Sequence, residues 1–142
     1  MIGFKPGVLM FNTKAIRNHV DRATRKVLSK FGAFVRQTAK RSIRKRKAAS
    51  PPGSPPSSHT GLLRRFIWFG YEPGKRSVVI GPARLSDKGR GEAPSLLEYG
   101  GSTTLKRQGK RRRTRIRARP FMGPAFEKES TKLPALWRDS IH

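Results

Sequence analysis

The sequence predicts an α+β fold in which a small antiparallel sheet packs against a long N-terminal helix and a C-terminal helix. Three observations carry this expectation. Apolar residues recur at steps of three and four from Ile16 onward; two pairs of strand-like runs surround turn signals at Glu72-Pro73-Gly74-Lys75 and Gln108-Gly109; and a second helical pattern closes the chain. The 142 residues are enough for one domain with one core.

Within that single domain the first segment, 12–47, reads as the long helix. Ile16, Val20, Ala23, Val27, Phe31, Phe34 and Thr38 fall on one face, and Asn12 or Thr13 is placed to accept a bond from a free first-turn amide. The pattern fades near Lys45. Gly32 costs about 1 kcal/mol relative to Ala inside a helix, which points to close packing or a bend there. Arg17, Arg22, Arg25, Lys26, Arg36 and Lys40 occupy the opposite face, expected to be solvated.

Segment 48–60 is a Pro/Ser-rich connector, with SPPGSPPSS at its centre. It is expected to be extended or mobile and long enough to bring the next element back along the helix. Segment 61–119 holds the sheet. A short helical turn at Thr60 to Arg65 precedes a strand from Phe66 to Tyr71, a turn with Pro73 second and Gly74 supplying positive φ, and a returning strand from Ser77 to Gly81. The stretch from Pro82 to Pro94 reads as a loop, and Pro94 to Tyr99 as one or two helical turns closed by Gly100-Gly101. A second hairpin, from Ser102 to Ala118, has a basic tip. Segment 120–142 is the C-terminal helix, divided by Pro134 near Thr131. Phe126, Leu133, Leu136, Trp137 and Ile141 are its apolar residues. Phe31, Phe34, Trp68, Phe121, Phe126 and Trp137 are the expected packing anchors.

Charge is the dominant chemical signal. Thirty-three Lys and Arg face eight Asp and Glu, a net +25 that is self-repulsive in a compact chain unless a partner supplies negative charge. It collects in two runs: Lys40 to Lys47, with six cations in eight residues, and Lys106 to Arg119, with nine in fourteen. Such runs attract phosphates through counterion release and do not themselves read bases. In the second, Arg113, Arg115, Arg117 and Arg119 alternate with Thr114, Ile116 and Ala118, the pattern of a strand showing arginines on one side.

Chemistry beyond charge is thin. There is no cysteine, so disulfides and thiolate metal sites are excluded. His19, His59 and His142 stand apart from one another and from acidic residues at ligand spacing, so no metal or other cofactor is expected. Glu127 and Glu129 are too close for opposed acid–base work and are expected to meet a helix dipole near its N-terminus. The chain is not expected to be an enzyme, and an enzyme on DNA is the least supported class. The apolar patch in MIGFKPGVLMFNTK is too broken for a signal h-region or a membrane span, which suggests an intracellular protein that does not enter the membrane.

Three patches carry a family resemblance: Thr60-Gly61-Leu62-Leu63-Arg64 before a hairpin ending Val79-Ile80-Gly81; Leu97-Glu98-Tyr99-Gly100-Gly101; and Ala118-Arg119-Pro120-Phe121-Met122-Gly123-Pro124-Ala125-Phe126. In this order, between a long first helix and a final helix, they resemble the head-tail joining (neck or tail-completion) proteins of tailed bacteriophages. The third patch is the most specific. The high charge and the proline-rich insert depart from the family's usual pattern.

The resemblance implies a non-enzymatic subunit of the virion, made in the host cytoplasm, whose homo-oligomeric ring joins head connector to tail tube around the DNA channel. Other neck, connector and tail-tube proteins are the implied partners, with non-specific contact to viral DNA. Lys106, Arg107, Lys110, Arg111, Arg112, Arg113, Arg115 and Arg117 are then the candidate contacts to the channel DNA or to a neighbouring ring. The competing expectation is a basic nucleic-acid-binding protein of ribosomal or nucleoid type, for which a charge of this size is ordinary.

Overall fold

The computed structural model describes residues 12–83 and 93–140. The expectations for the first eleven residues, for most of the loop after Pro82 and for Ile141 lie outside them. The elements run α1 (Thr13–Ser42), α2 (Leu62–Arg65), β1 (Ile67–Glu72), β2 (Ser77–Pro82), α3 (Ala93–Tyr99), β3 (Gly101–Arg107), β4 (Lys110–Ile116), α4 (Met122–Ser130) and α5 (Leu133–Arg138). The α+β class holds, with the strands divided between two separate antiparallel hairpins.

The core forms along a row of strict four-residue spacing on α1. Val27, Phe31, Val35 and Ala39 are buried, and Ile43 continues the row just past the helix end. Ile67 of β1 and Phe121 and Ala125 at the start of α4 close over it. The expected stripe was turned by one residue at its C-terminal end. Phe34 is half-buried, with the Lys132 ammonium 5.0 Å from its ring centre, and Thr38 faces α4. At the other end Ile16 and Val20 are about half exposed, because α1 runs beyond the body there. Asn12 is the cap: its side-chain oxygen accepts the Ala15 amide at 3.0 Å.

The helix ends earlier than Lys45. Ile43 turns extended to enter the core, and Arg44 pairs with Ser57. That pairing also corrects the expectation of a mobile connector. The Ser58 amide donates to the Arg44 carbonyl, the Gly53 amide to the Ala118 carbonyl and the Arg119 guanidinium to the Ser50 carbonyl. Ser50, Pro56 and Ser58 are buried, so prolines that supply no amide donor sit here in a packed strap rather than a tether.

The hairpin of β1 and β2 lies on α1 through one face. Ile67, Phe69 and Tyr71 share it with their cross-strand partners Pro82, Ile80 and Val78. Gly32 is what lets the layers approach, since a Cβ there would stand 2.8 Å from Val78 Cγ2 and 2.9 Å from Phe69 Cδ2. Close packing therefore accounts for this helical glycine. The turn differs from expectation: positive φ falls on Arg76 (49°), not Gly74, in a four-residue loop. The Arg76 guanidinium pairs with Asp21 of α1, 3.1 Å away.

Of the expected anchors, Phe31 and Phe121 are in the core. Trp68, Phe126 and Trp137 are corrections, at 55%, 51% and 37% exposure. Trp68 lies on the outer face of β1, where Gly70 and Gly81 offer it no side chain and the Arg36 guanidinium stands 5.4 Å from its ring centre. Phe126 touches the edge of Phe31 from the rim, and Trp137 lies on the outer side of α5. The C-terminal helix is divided at Thr131 and Lys132, as the proline predicts.

Candidate functional site: a basic ribbon and its clamp

The hairpin of β3 and β4 stands away from this body. Its turn is a two-residue type I′ connection, Gln108 (φ 49°) and Gly109 (φ 76°), whose twist matches that of the strands. Seven residues per strand give a ribbon ~20 Å long. None of its residues is buried.

Seven of the eight predicted contact residues are gathered on this ribbon. Opposed residues share a face, so Lys106, Arg111, Arg113 and Arg115 project on one side with Ser102 and Thr104. Arg107, Lys110 and Arg112 project on the other, with Leu105, Thr103, Thr114 and Ile116 nearer the body. The expected one-sided row of arginines is thus correct for Arg113 and Arg115 only. Arg117 and Arg119 lie past the end of β4, and Arg119 turns inward to the connector, donating to the Ser50 carbonyl at 2.8 Å.

At the tip Lys106 faces Arg111 and Arg107 faces Lys110. Like charges directly opposite one another destabilise a strand pair by a few tenths of a kcal/mol or more. Nothing acidic relieves them: no ion pair among the described residues involves the ribbon. Of the acidic residues described, Asp21, Glu72, Glu129 and Asp139 are paired with cations elsewhere, and Glu98 is fully engaged. Among the described residues Glu127 alone is left outside such a bond.

The base of the ribbon is held by a residue that sequence reasoning placed in a motif without giving it a task. Glu98, near the end of α3, accepts the amides of Phe121 and Met122 on one carboxylate oxygen, at 2.9 and 3.0 Å, and of Gly123 on the other at 2.7 Å. A carboxylate here satisfies free donors of the first turn of α4 and meets the positive end of its dipole. Gly123 keeps the approach open, since a Cβ would stand 3.1 Å from Glu98 Oε1. Gly100 (φ 74°) closes α3 and leads into β3, and the Arg119 amide returns to the Leu97 carbonyl at 2.6 Å.

The dipole role expected of Glu127 and Glu129 therefore belongs to Glu98. Both glutamates lie in the second half of α4, and Glu129 is buried. Its carboxylate accepts the Thr38 hydroxyl at 2.6 Å and pairs with the Lys132 ammonium. These hydrogen bonds, Lys132 first, hold its pKa below the ordinary carboxylate value even though burial pushes the other way.

Among the described residues no group of three or more His, Asp or Glu could hold a metal ion, and no helix is long and apolar enough to cross a membrane. The chain matches no family model, no curated protein and no solved structure.

Proposed function

We propose that the protein is a structural subunit of a phage neck or tail end, without enzymatic activity, that assembles into a ring joining head connector and tail tube around the DNA channel. The observation that carries this reading is the ribbon. A two-stranded hairpin with no buried residue is marginal alone, and this one adds two like-charge pairs at its tip. Its order is best understood as supplied by neighbours.

Two further features support the reading. The body leaves Ile16, Val20, Trp68, Val79 and Trp137 exposed on several sides, surface that a head-to-tail contact closing by rotation would cover. The two patches of the phage resemblance that flank the ribbon are also joined in space through Glu98.

That no ion pair among the described residues involves the ribbon favours a second reading, a basic protein that binds nucleic acid as a monomer. Size-exclusion chromatography with light scattering, at low and high salt and with and without a DNA duplex, separates the two. The ring reading expects a discrete closed oligomer that survives high salt. A monomer that binds duplex at low salt and releases it near physiological salt would replace it with the second reading.

A further inference from the structure

Where α1 ends, a cleft of about 280 Å³ is lined by Lys40, Lys45, Thr60, Gly61, Arg64 and Arg65. The two lysines come from the last turn of α1 and the chain just after it, and the two arginines from α2. The packed connector brings them together, anchored by the Ser58 amide on the Arg44 carbonyl at 2.9 Å. Gly61, buried at φ 76°, makes the turn that starts α2 beside Lys45. The Thr60 hydroxyl accepts the Leu62 amide at 3.3 Å and keeps its own proton to donate.

Among the described residues no acid lines the cleft and no ion pair involves any of its four cations. Lys40 registers the cost. Its burial, and then the charges of Arg36 and Arg64, hold its pKa below the ordinary lysine value. Like charges converging on a partly buried ammonium are a standing repulsion unless an anion enters.

We propose that this cleft binds a phosphate group, held by Lys40, Lys45, Arg64, Arg65 and the Thr60 hydroxyl. A phosphate suits the donor set better than a carboxylate does. Two guanidinium forks, two ammoniums and a hydroxyl offer more donors than two carboxylate oxygens accept, and a phosphate spreads its charge over several oxygens. The space exceeds that of a few waters at ~30 Å³ each, so the group enters with part of its hydration shell. Free inorganic phosphate and the phosphodiester of a nucleic acid share this chemistry. The site uses neither the ribbon nor the exposed apolar surface, so it stands apart from the ring reading.

The test follows the Lys40 side chain by NMR in the full-length protein while inorganic phosphate replaces chloride at constant ionic strength. A bound phosphate stabilises the ammonium, so the Lys40 pKa should climb toward its ordinary 10.5 and saturate. Replacing Arg64 and Arg65 by Ser should weaken that saturation about tenfold or more, as loss of charge-assisted hydrogen bonds requires. Replacing Arg111 and Arg113 by Ser should leave it unchanged. Should the α2 variant lose its circular dichroism signature, Lys45→Ser reads the same loss without altering α2. A short DNA duplex that reproduces the Lys40 response and is displaced by phosphate identifies the phosphodiester as the source; a response to inorganic phosphate alone identifies the free anion. A Lys40 that does not respond, or a folded Arg64→Ser/Arg65→Ser protein that binds phosphate like the unaltered chain, overturns the proposal. Light scattering would still report on the ring separately.

Discussion

The two hairpins have strands of six and seven residues and simple antiparallel pairing, yet one is part of the body and the other leaves it. On the first, every residue of the inner face is apolar or aromatic, and Gly32 lets that face settle on α1. On the second, the corresponding positions carry Lys106, Arg111, Arg113 and Arg115. Hairpin formation is therefore not what divides them. The chemistry of one face decides whether a ribbon is folded inward, by burying apolar area at roughly 25 cal/mol per Å², or presented outward as charge.

This contrast is broken most severely in the body. Phe121→Ala empties a fully buried site in the core and is expected to cost ~3–5 kcal/mol in denaturant unfolding. A loss within about 0.5 kcal/mol would mean that the site behaves as surface. Next comes the clamp between the regions. Glu98→Gln replaces one of two accepting oxygens by a donor facing amide protons, so a loss of about 2 kcal/mol is expected, read as a lower Tm with the helical signal otherwise kept.

Acid should find the body before the ribbon. Glu129 has a pKa lowered in the folded chain, so its contribution is complete above the unfolded value near 4.5 and is lost as pH falls through the lower folded value. Unfolding free energy should drop below pH 4.5, and Glu129→Gln should flatten that drop. The smallest effect belongs to the ribbon. Replacing Arg111, Arg112, Arg113 and Arg115 together by Ser is expected to change stability by no more than about 0.5 kcal/mol while weakening attachment to a polyanion or neighbour. Loss of the circular dichroism signature would make those arginines structural.

The contrast also explains what could be read from the sequence. Periodicity found α1, and turn chemistry found both hairpins, because each signal is local. The core row was missed by one residue after Phe31, where Phe34 and Thr38 continue a mixed three-and-four step but Val35 and Ala39 continue the strict four. Ile43 was hidden inside a run of cations. Trp68 and Phe126 are large and apolar, which says how much they gain by burial and not whether a partner is present. Glu98 was the hardest. Its amide partners begin 23 residues away, and the only local sign was a helix, α4, with neither a side-chain cap nor an acid in its first turn. Likewise Lys40 and Arg64 were visible as charge, but their meeting depends on how the connector packs.

The clamp at Glu98 and Leu97 ties both ends of the ribbon to one point, since Arg119 returns to Leu97 and residues 121–123 to Glu98. The paired strands and the tip between these ties can change length without breaking either tie. Adding two residues to each strand would extend its reach by ~7 Å and return every side chain to its former face, because the side-chain repeat is two. The distance at which the charged tip stands from the body is thus a variable that can be set within the ribbon, with no residue of the core obliged to change.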